Sequence, residues 1–397
     1  MAHHHSPRIV TDNLVFYYDT GNVLKSYKGE PTTNYVPGTY DYALYAYASG
    51  PVNATATNEN RKVVDVKRYT ITNAVNTARA AIFPTTNTSD YYTFSFKWRY
   101  NGTVTNSPSI GVDASKGNPE GGSNNNSFGY QRADTVAIGN SWYLTTYTFR
   151  FNNNPTGKCM LTFGIVTGGN TAYVGETFDI YEAQFEVKDH RTSYASGTRS
   201  STQGLIDLIG NSTVNLANVS FDANSQMTFD GTNDSLVITN NSTLKNNNTS
   251  IEFVIKYLNT PYGDIIQFGV GSGTYAQYYY RAYSGYSWWN WYPVGTGYGE
   301  IAIPNAALPI NTYHHIVMTG NDQGYVQFYI NGVAQSGATR TANSQPANWT
   351  PANLTVGGYS WDGYSSSVIP LVKIYSRVLT ASEVLQNYQA VKSRFGI

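Results

Sequence analysis

Short runs alternating bulky apolar or aromatic side chains with small polar ones, broken by Gly, Asn, Pro or Ser, recur along the whole chain. Residues 91–98 put Tyr92, Phe94, Phe96 and Trp98 on one face, and residues 143–151 repeat the pattern. A period of two is the period of a β-strand packed on a core. Many such strands at short spacing predict an all-β protein of antiparallel sandwiches of the jelly-roll type. One short helix is expected, at the C-terminal end. Thr380 and Glu383 have capping-box spacing, ahead of Val384, Leu385, Tyr388 and Val391 at helical spacing. Lys392 and Arg394 suit the end of that helix, and Gly396 suits its stop.

The chain has 397 residues, enough for two or three domains with sizeable cores. Charged residues make up 13%, about half the usual share, and Tyr occurs 35 times. Solubility then rests on hydroxyls and amides, as suits a durable exterior protein. The formal net charge is zero and no basic tract occurs, which argues against nucleic acid as a partner. A neutral chain tends to self-associate, so a homo-oligomer is expected, with a trimer favoured. No run of roughly 18 apolar residues is present, so no membrane insertion is expected. The opening MAHHHSPRIV lacks the apolar run of a signal peptide, which fits assembly inside a cell and release by lysis. The single cysteine, Cys159, lies in a strand-like run and reads as a buried, inert thiol.

Five segments carry a resemblance. They are residues 227–238, 251–256, 313–319, the strand Gly324-Tyr325-Val326-Gln327-Phe328-Tyr329-Ile330-Asn331-Gly332-Val333, and residues 372–388. In order and spacing they resemble a concanavalin A-like, laminin-G-type sandwich as found in phage structural proteins. In those proteins an opening strand, matched here by residues 13–22, runs straight on to a turn. The nearest match to that turn, Ile206-Asp207-Leu208-Ile209-Gly210-Asn211, comes far later. The resemblance therefore implies an insertion whose two ends lie close together. The expected domains are an N-terminal segment 1–29 whose strand joins the laminin-G-like domain, an inserted jelly roll 30–197, and the laminin-G-like sandwich 198–397.

The insertion resembles carbohydrate-binding-module-like jelly rolls, on residues 94–98, 141–143 and 178–186. Residues 191–200 resemble the exit from such a jelly roll in phage virion proteins. The opening His5-Ser6-Pro7-Arg8-Ile9-Val10-Thr11-Asp12 is similar to structural proteins of contractile-tailed cyanophages. These resemblances imply a virion protein on the particle exterior, with other virion proteins as partners.

Enzymatic chemistry finds little support in the residues. A laminarinase-type site needs Glu-x-Asp-x-x-Glu on a strand. Here Thr177 stands at the nucleophile position, and Asp179 and Glu182 fall on opposite faces of a regular strand. Six histidines offer no triad: His3, His4 and His5 at the start, His190, and the pair His314 and His315. On a strand, one of that pair faces in and one out. The opening histidines would hold a metal only by meeting on an oligomer axis. Calcium is the one cofactor considered, on Asp230, Asn233 and Asp234. The same residues also make a tight turn, and the turn is favoured.

The aromatic stretch 275–298 is the most unusual local feature. Alternation cannot bury all its rings on one sandwich face. Tyr278, Tyr280, Tyr283, Tyr286, Trp288, Trp289 and Trp291, with Trp361 and Tyr364 of a later turn, are the candidate ligand or interface residues. Interface ranks first and glycan contact second. The expected function is a non-enzymatic virion structural protein: a decoration, fibre or appendage subunit. A host-polysaccharide-binding adhesin is the alternative, and a polysaccharide hydrolase the third.

Overall fold

The computed structural model describes residues 8–36, 43–44, 54–61, 64–71, 78–82, 89–103, 109–116, 128–151, 159–166, 171–222, 226–239, 242–244, 246, 248–268, 278–292, 298–336, 338–342, 353–359 and 363–397. Among them the sheets are antiparallel and the C-terminal helix is the only α-helix. None of the described helices is long and apolar enough to cross a membrane. The chain forms two compact units, Met1–Pro31 with Ser200–Ile397, and Thr32–Arg199.

In the first unit, two eight-stranded sheets enclose one core. Ser366–Tyr375 is central to one sheet. It pairs with Thr249–Tyr257 on one side, and with Leu14–Asp19 and Met227–Asp230 on the other. The N-terminal strand therefore belongs to the C-terminal sandwich. The second sheet runs from Thr213–Ala217 at one edge, through Tyr278–Tyr283 and Tyr286–Trp291, to Ala338–Ala342 at the other. Alternate residues of the two sheets meet in the core: Ile251, Phe253, Ile255 and Phe328 from one, Ile266, Tyr278, Tyr280, Trp289 and Trp291 from the other.

Asp207 fastens the N-terminal strand to the turn that follows the second unit. Its Oδ1 accepts the amides of Tyr17 and Ile209, each at 3.0 Å. Its Oδ2 accepts those of Asn211 and Ser212 at 3.0 and 3.1 Å. Nearby, the Lys28 amide donates to the Gly204 carbonyl at 2.8 Å, and Tyr27 bridges to Leu205. The chain leaves this unit and returns to it at neighbouring points. Replacing Asp207 with Ala strands four amides, so a loss of about 3 kcal/mol is expected. Urea unfolding measures that loss, and hydrogen exchange should rise first in Leu14–Asp19.

The helix Ala381–Phe395 covers the outer face of the first sheet. It carries the expected capping box at Thr380 and Glu383, and ends on Gly396 in the left-handed conformation. Its buried residues are Val384, Asn387 and Val391. Leu385, expected on the buried stripe, is 46% exposed. Asn387 takes a core position instead, because its amide is hydrogen-bonded on both sides: Nδ2 to Glu252 at 2.6 Å and to the Tyr375 hydroxyl at 3.0 Å, Oδ1 from the Val10 amide at 2.7 Å.

The histidine pair points to opposite faces of its strand, as alternation predicts, and both faces are covered. His314 and His315 are both buried. His314 Nε2 lies 2.9 Å from the Pro309 carbonyl, and burial lowers its pKa. His315 Nε2 lies 3.1 Å from Glu252 Oε1 beneath the helix.

The second unit has a six-stranded and a four-stranded sheet. Tyr92, Phe94, Phe96, Trp98, Tyr147, Phe149, Phe178 and Phe185 fill its buried aromatic core. Cys159 opens the strand Cys159–Val166, and its side chain lies outside the described residues.

Candidate functional site

Tyr278–Tyr283 and Tyr286–Trp291 form a hairpin whose register puts Tyr278 opposite Trp291, Tyr280 opposite Trp289 and Arg281 opposite Trp288. Period-two alternation then sorts the aromatic stretch into two sets. Tyr278, Tyr280, Trp289 and Trp291 point into the sandwich and are fully buried. The Tyr280 hydroxyl meets that of Tyr257 across the core at 2.9 Å. The indole nitrogens of Trp289 and Trp291 donate to the carbonyls of Thr319 and Asn321 at 3.2 and 2.7 Å. A Cβ on Gly320 would lie 2.6 Å from the Trp291 ring, so glycine lets the indole lie against the backbone. These four rings cannot meet a ligand, which corrects the expectation for them.

The other set faces away from the core. Tyr283 is 52% exposed and Tyr286 46%, and they sit opposite each other near the hairpin tip. Trp288 is half-buried, 6.0 Å from Tyr286 between ring centroids. Tyr262, also exposed, lies 6.4 Å from Tyr283. The Arg281 guanidinium sits over the rings of Tyr279 and Tyr283 at 5.3 and 6.0 Å. Tyr279 stacks with Tyr292 at 6.3 Å. Asn290 shares this side of the strand, buried, with neither side-chain polar atom hydrogen-bonded. Buried amides are rarely left so, and where the protein supplies no partner an ordered water usually does. Tyr262, Arg281 and Asn290 were not singled out from sequence, and Tyr279 and Tyr292 only as members of the aromatic stretch, although alternation places Tyr279, Arg281, Asn290 and Tyr292 beside Trp288. Tyr364 is half-buried on a separate two-stranded ladder, opposite Gly358. Trp361 lies outside the described residues, as do His3, His4 and His5.

Asp230, Asn233 and Asp234 lie together in a turn. Asp234 Oδ2 accepts the amides of Ser220 and Asp230 at 3.0 and 2.9 Å, and Asp230 Oδ1 accepts that of Thr232 at 2.7 Å. Gly231 supplies the left-handed residue, with φ of 84°. Asp234 Oδ1 is buried without a hydrogen-bond partner. No three His, Cys, Asp or Glu side chains gather as a metal site among the described residues.

Asp179 and Glu182 of the inserted unit share one face, against expectation. Glu182 has a φ of 50°, and the register with Tyr92–Tyr100 shifts between Tyr181 and Gln184. This bulge turns Glu182 back to Lys97, 2.6 Å away, on the face where Arg99 and Arg68 hold Asp179 at 2.7 Å. Burial raises the Asp179 pKa, but the bonds from Arg68 and Arg99 outweigh it and the net shift is downward. A general acid needs the opposite shift. The face also carries Trp142 under Arg99 at 4.6 Å and edge-on to Tyr181 at 4.6 Å.

Residues 230–385 match the family model described as the concanavalin A-like lectin/glucanases superfamily. They carry a concanavalin A-like, laminin-G-like domain. No curated protein matches the chain. Among solved structures it is similar to the receptor-binding domain of botulinum neurotoxin C/D mosaic serotype, with 18% identity and a TM-score of 0.39 over 48% of this chain and 49% of that one. The botulinum neurotoxin serotype D ligand-binding domain in complex with N-acetylneuraminic acid gives 18%, 0.38, 48% and 49%. The chain spans about half the length of these structures, and the likeness concerns the fold alone. The aromatic hairpin lies inside the matched laminin-G-like segment.

Proposed function

We propose that this chain is a non-enzymatic surface protein of a phage particle that contacts polysaccharide through the outward face of the hairpin in its laminin-G-like domain. The observation that carries the glycan reading is the exposed pair Tyr283 and Tyr286, flanked by Trp288 and Arg281 on one rigid sheet. Rings at this exposure offer apolar faces to the C–H side of a sugar ring, while Arg281 and the tyrosine hydroxyls offer hydrogen bonds. A lectin-type fold supports the same reading. The bulge that loads Asp179 and Glu182 with basic partners counts against hydrolysis there. The virion setting rests on the resemblance of residues 5–12 and 191–200 to phage structural proteins. It makes other virion proteins the neighbours and host surface glycans the target, with repeated copies raising a weak contact to useful avidity.

Binding to an array of bacterial surface polysaccharides tests the glycan reading. Tyr286→Ala and Trp288→Ala should each weaken the bound glycan about tenfold. Binding that survives both changes, or no binding at all, overturns it. Immunogold labelling of purified particles tests the setting, and unlabelled particles reject it.

A further inference from the structure

The strand Phe128–Gly139 ends the six-stranded sheet of the Thr32–Arg199 unit. It pairs with Trp142–Phe151 on one side and with no described strand on the other. Residues 132–140 are all exposed, although Thr145, Tyr147 and Phe149 on the neighbouring strand are buried. Val136 and Ile138 are 44% and 42% exposed. An edge of this kind presents a row of backbone N–H and C=O groups as a template for another strand. Natural edges are usually closed by proline, lysine, a bulge or shortness. Phe128–Gly139 spans 12 residues with neither Pro nor Lys. Its register with the neighbouring strand shifts at both ends, at Gly129 and at Ile138, and is regular between them from Tyr130 to Ala137.

The charges on this edge are self-complementary. Arg132 and Asp134 sit two apart, opposite Thr148 and Thr146, and so share one face. Both are exposed, and neither has an ion-pair partner among the described residues. Charges on an edge disfavour most intruding strands, which would bury them without a matching partner. One partner fits them: an antiparallel copy of the same strand centred on Ala133. In that register Arg132 faces Asp134 of the second copy, and Asp134 faces its Arg132. Val136 falls opposite Tyr130, still within the regular stretch.

We propose that a second copy of this chain pairs with this edge about a two-fold axis through Ala133, continuing the six-stranded sheet across two molecules. The contact is isologous, so each ion pair occurs twice and the assembly closes as a dimer. The proposal is independent of the glycan reading, whose residues lie in the other unit.

Light scattering and sedimentation equilibrium on the full chain test it. The unaltered chain should have the mass of a dimer. Arg132→Glu alone or Asp134→Arg alone should weaken association about 30-fold, since each turns two attractions into two repulsions. The double change Arg132→Glu with Asp134→Arg should restore the dimer. Circular dichroism on each variant separates lost association from lost folding, and both side chains are exposed. A monomer at every concentration, a trimer, single variants that associate normally, or a double variant as weak as the singles would each overturn it.

Discussion

Glu252→Gln is expected to lower the stability of the laminin-G-like domain by about 3 kcal/mol, because it leaves a buried ammonium without its counter-charge. Glu252, Lys373, His315, Tyr375 and Asn387 are all buried between the first sheet and the C-terminal helix. Oε1 of Glu252 receives Lys373 Nζ at 2.6 Å and His315 Nε2 at 3.1 Å. Oε2 receives Asn387 Nδ2 at 2.6 Å and the Tyr375 hydroxyl at 3.3 Å. The single Tyr375 hydroxyl proton is shared with the Val10 carbonyl at 3.1 Å, so one carboxylate gathers two strands, the helix and the N-terminal segment. Burial raises the Glu252 pKa, but the Lys373 charge and the His315 and Lys373 hydrogen bonds outweigh it and pull it down to about 2. The folded state therefore favours the ionised form relative to the unfolded chain. The stabilisation is complete above the ordinary value of 4.5 and fades as pH falls towards 2. Calorimetry across that window should show the transition of this domain falling with pH, and falling less steeply in the Glu252→Gln variant. The two units unfold as separate cooperative bodies if their transitions differ, so the domain transition is the one to follow. An unchanged midpoint at neutral pH would reject the role given to the carboxylate.

Trp289→Ala should cost about 3–5 kcal/mol, the range for truncating a fully buried large aromatic. Its ring lies 5.8 Å from Tyr278 and 6.3 Å from Trp291, and its indole nitrogen reaches across the sandwich to the Thr319 carbonyl. Removal leaves a cavity and loses the indole hydrogen bond. Tyr286→Ala, three residues away on the same strand, should change stability by less than about 1 kcal/mol, because nearly half of the residue is already exposed. Urea unfolding followed by tryptophan fluorescence and circular dichroism compares the two. Similar losses in both variants would show that the hairpin's two faces are not divided as described.

The pairing of these two variants marks the boundary between what is local and what is not. Alternation in residues 278–291 already separated two sets of side chains. It could not say which set was covered, because both sets are aromatic. The core took Tyr278, Tyr280, Trp289 and Trp291 because Tyr257, Phe253 and Phe328, distant in sequence, stand opposite them.

Features set by neighbours along the chain were legible in the residues alone. The strands follow from period-two alternation. The helix start follows from Thr380 and Glu383, whose hydrogen bonds span three residues. The tight turn at Asp230 follows from residues that bond their own backbone. Features set by coverage were not legible. His315, on the outer face, is buried because a helix packs over it. Asn387 displaces Leu385 from the core because Glu252 and Val10 supply partners that helical periodicity does not contain. Glu182 joins Asp179 on one face because a bulge breaks the alternation and Lys97 waits on the neighbouring strand. Where the backbone is extended and where it turns follows from the residues themselves, since those preferences act over a few positions. Which faces meet water depends on segments brought together from distant parts of the chain.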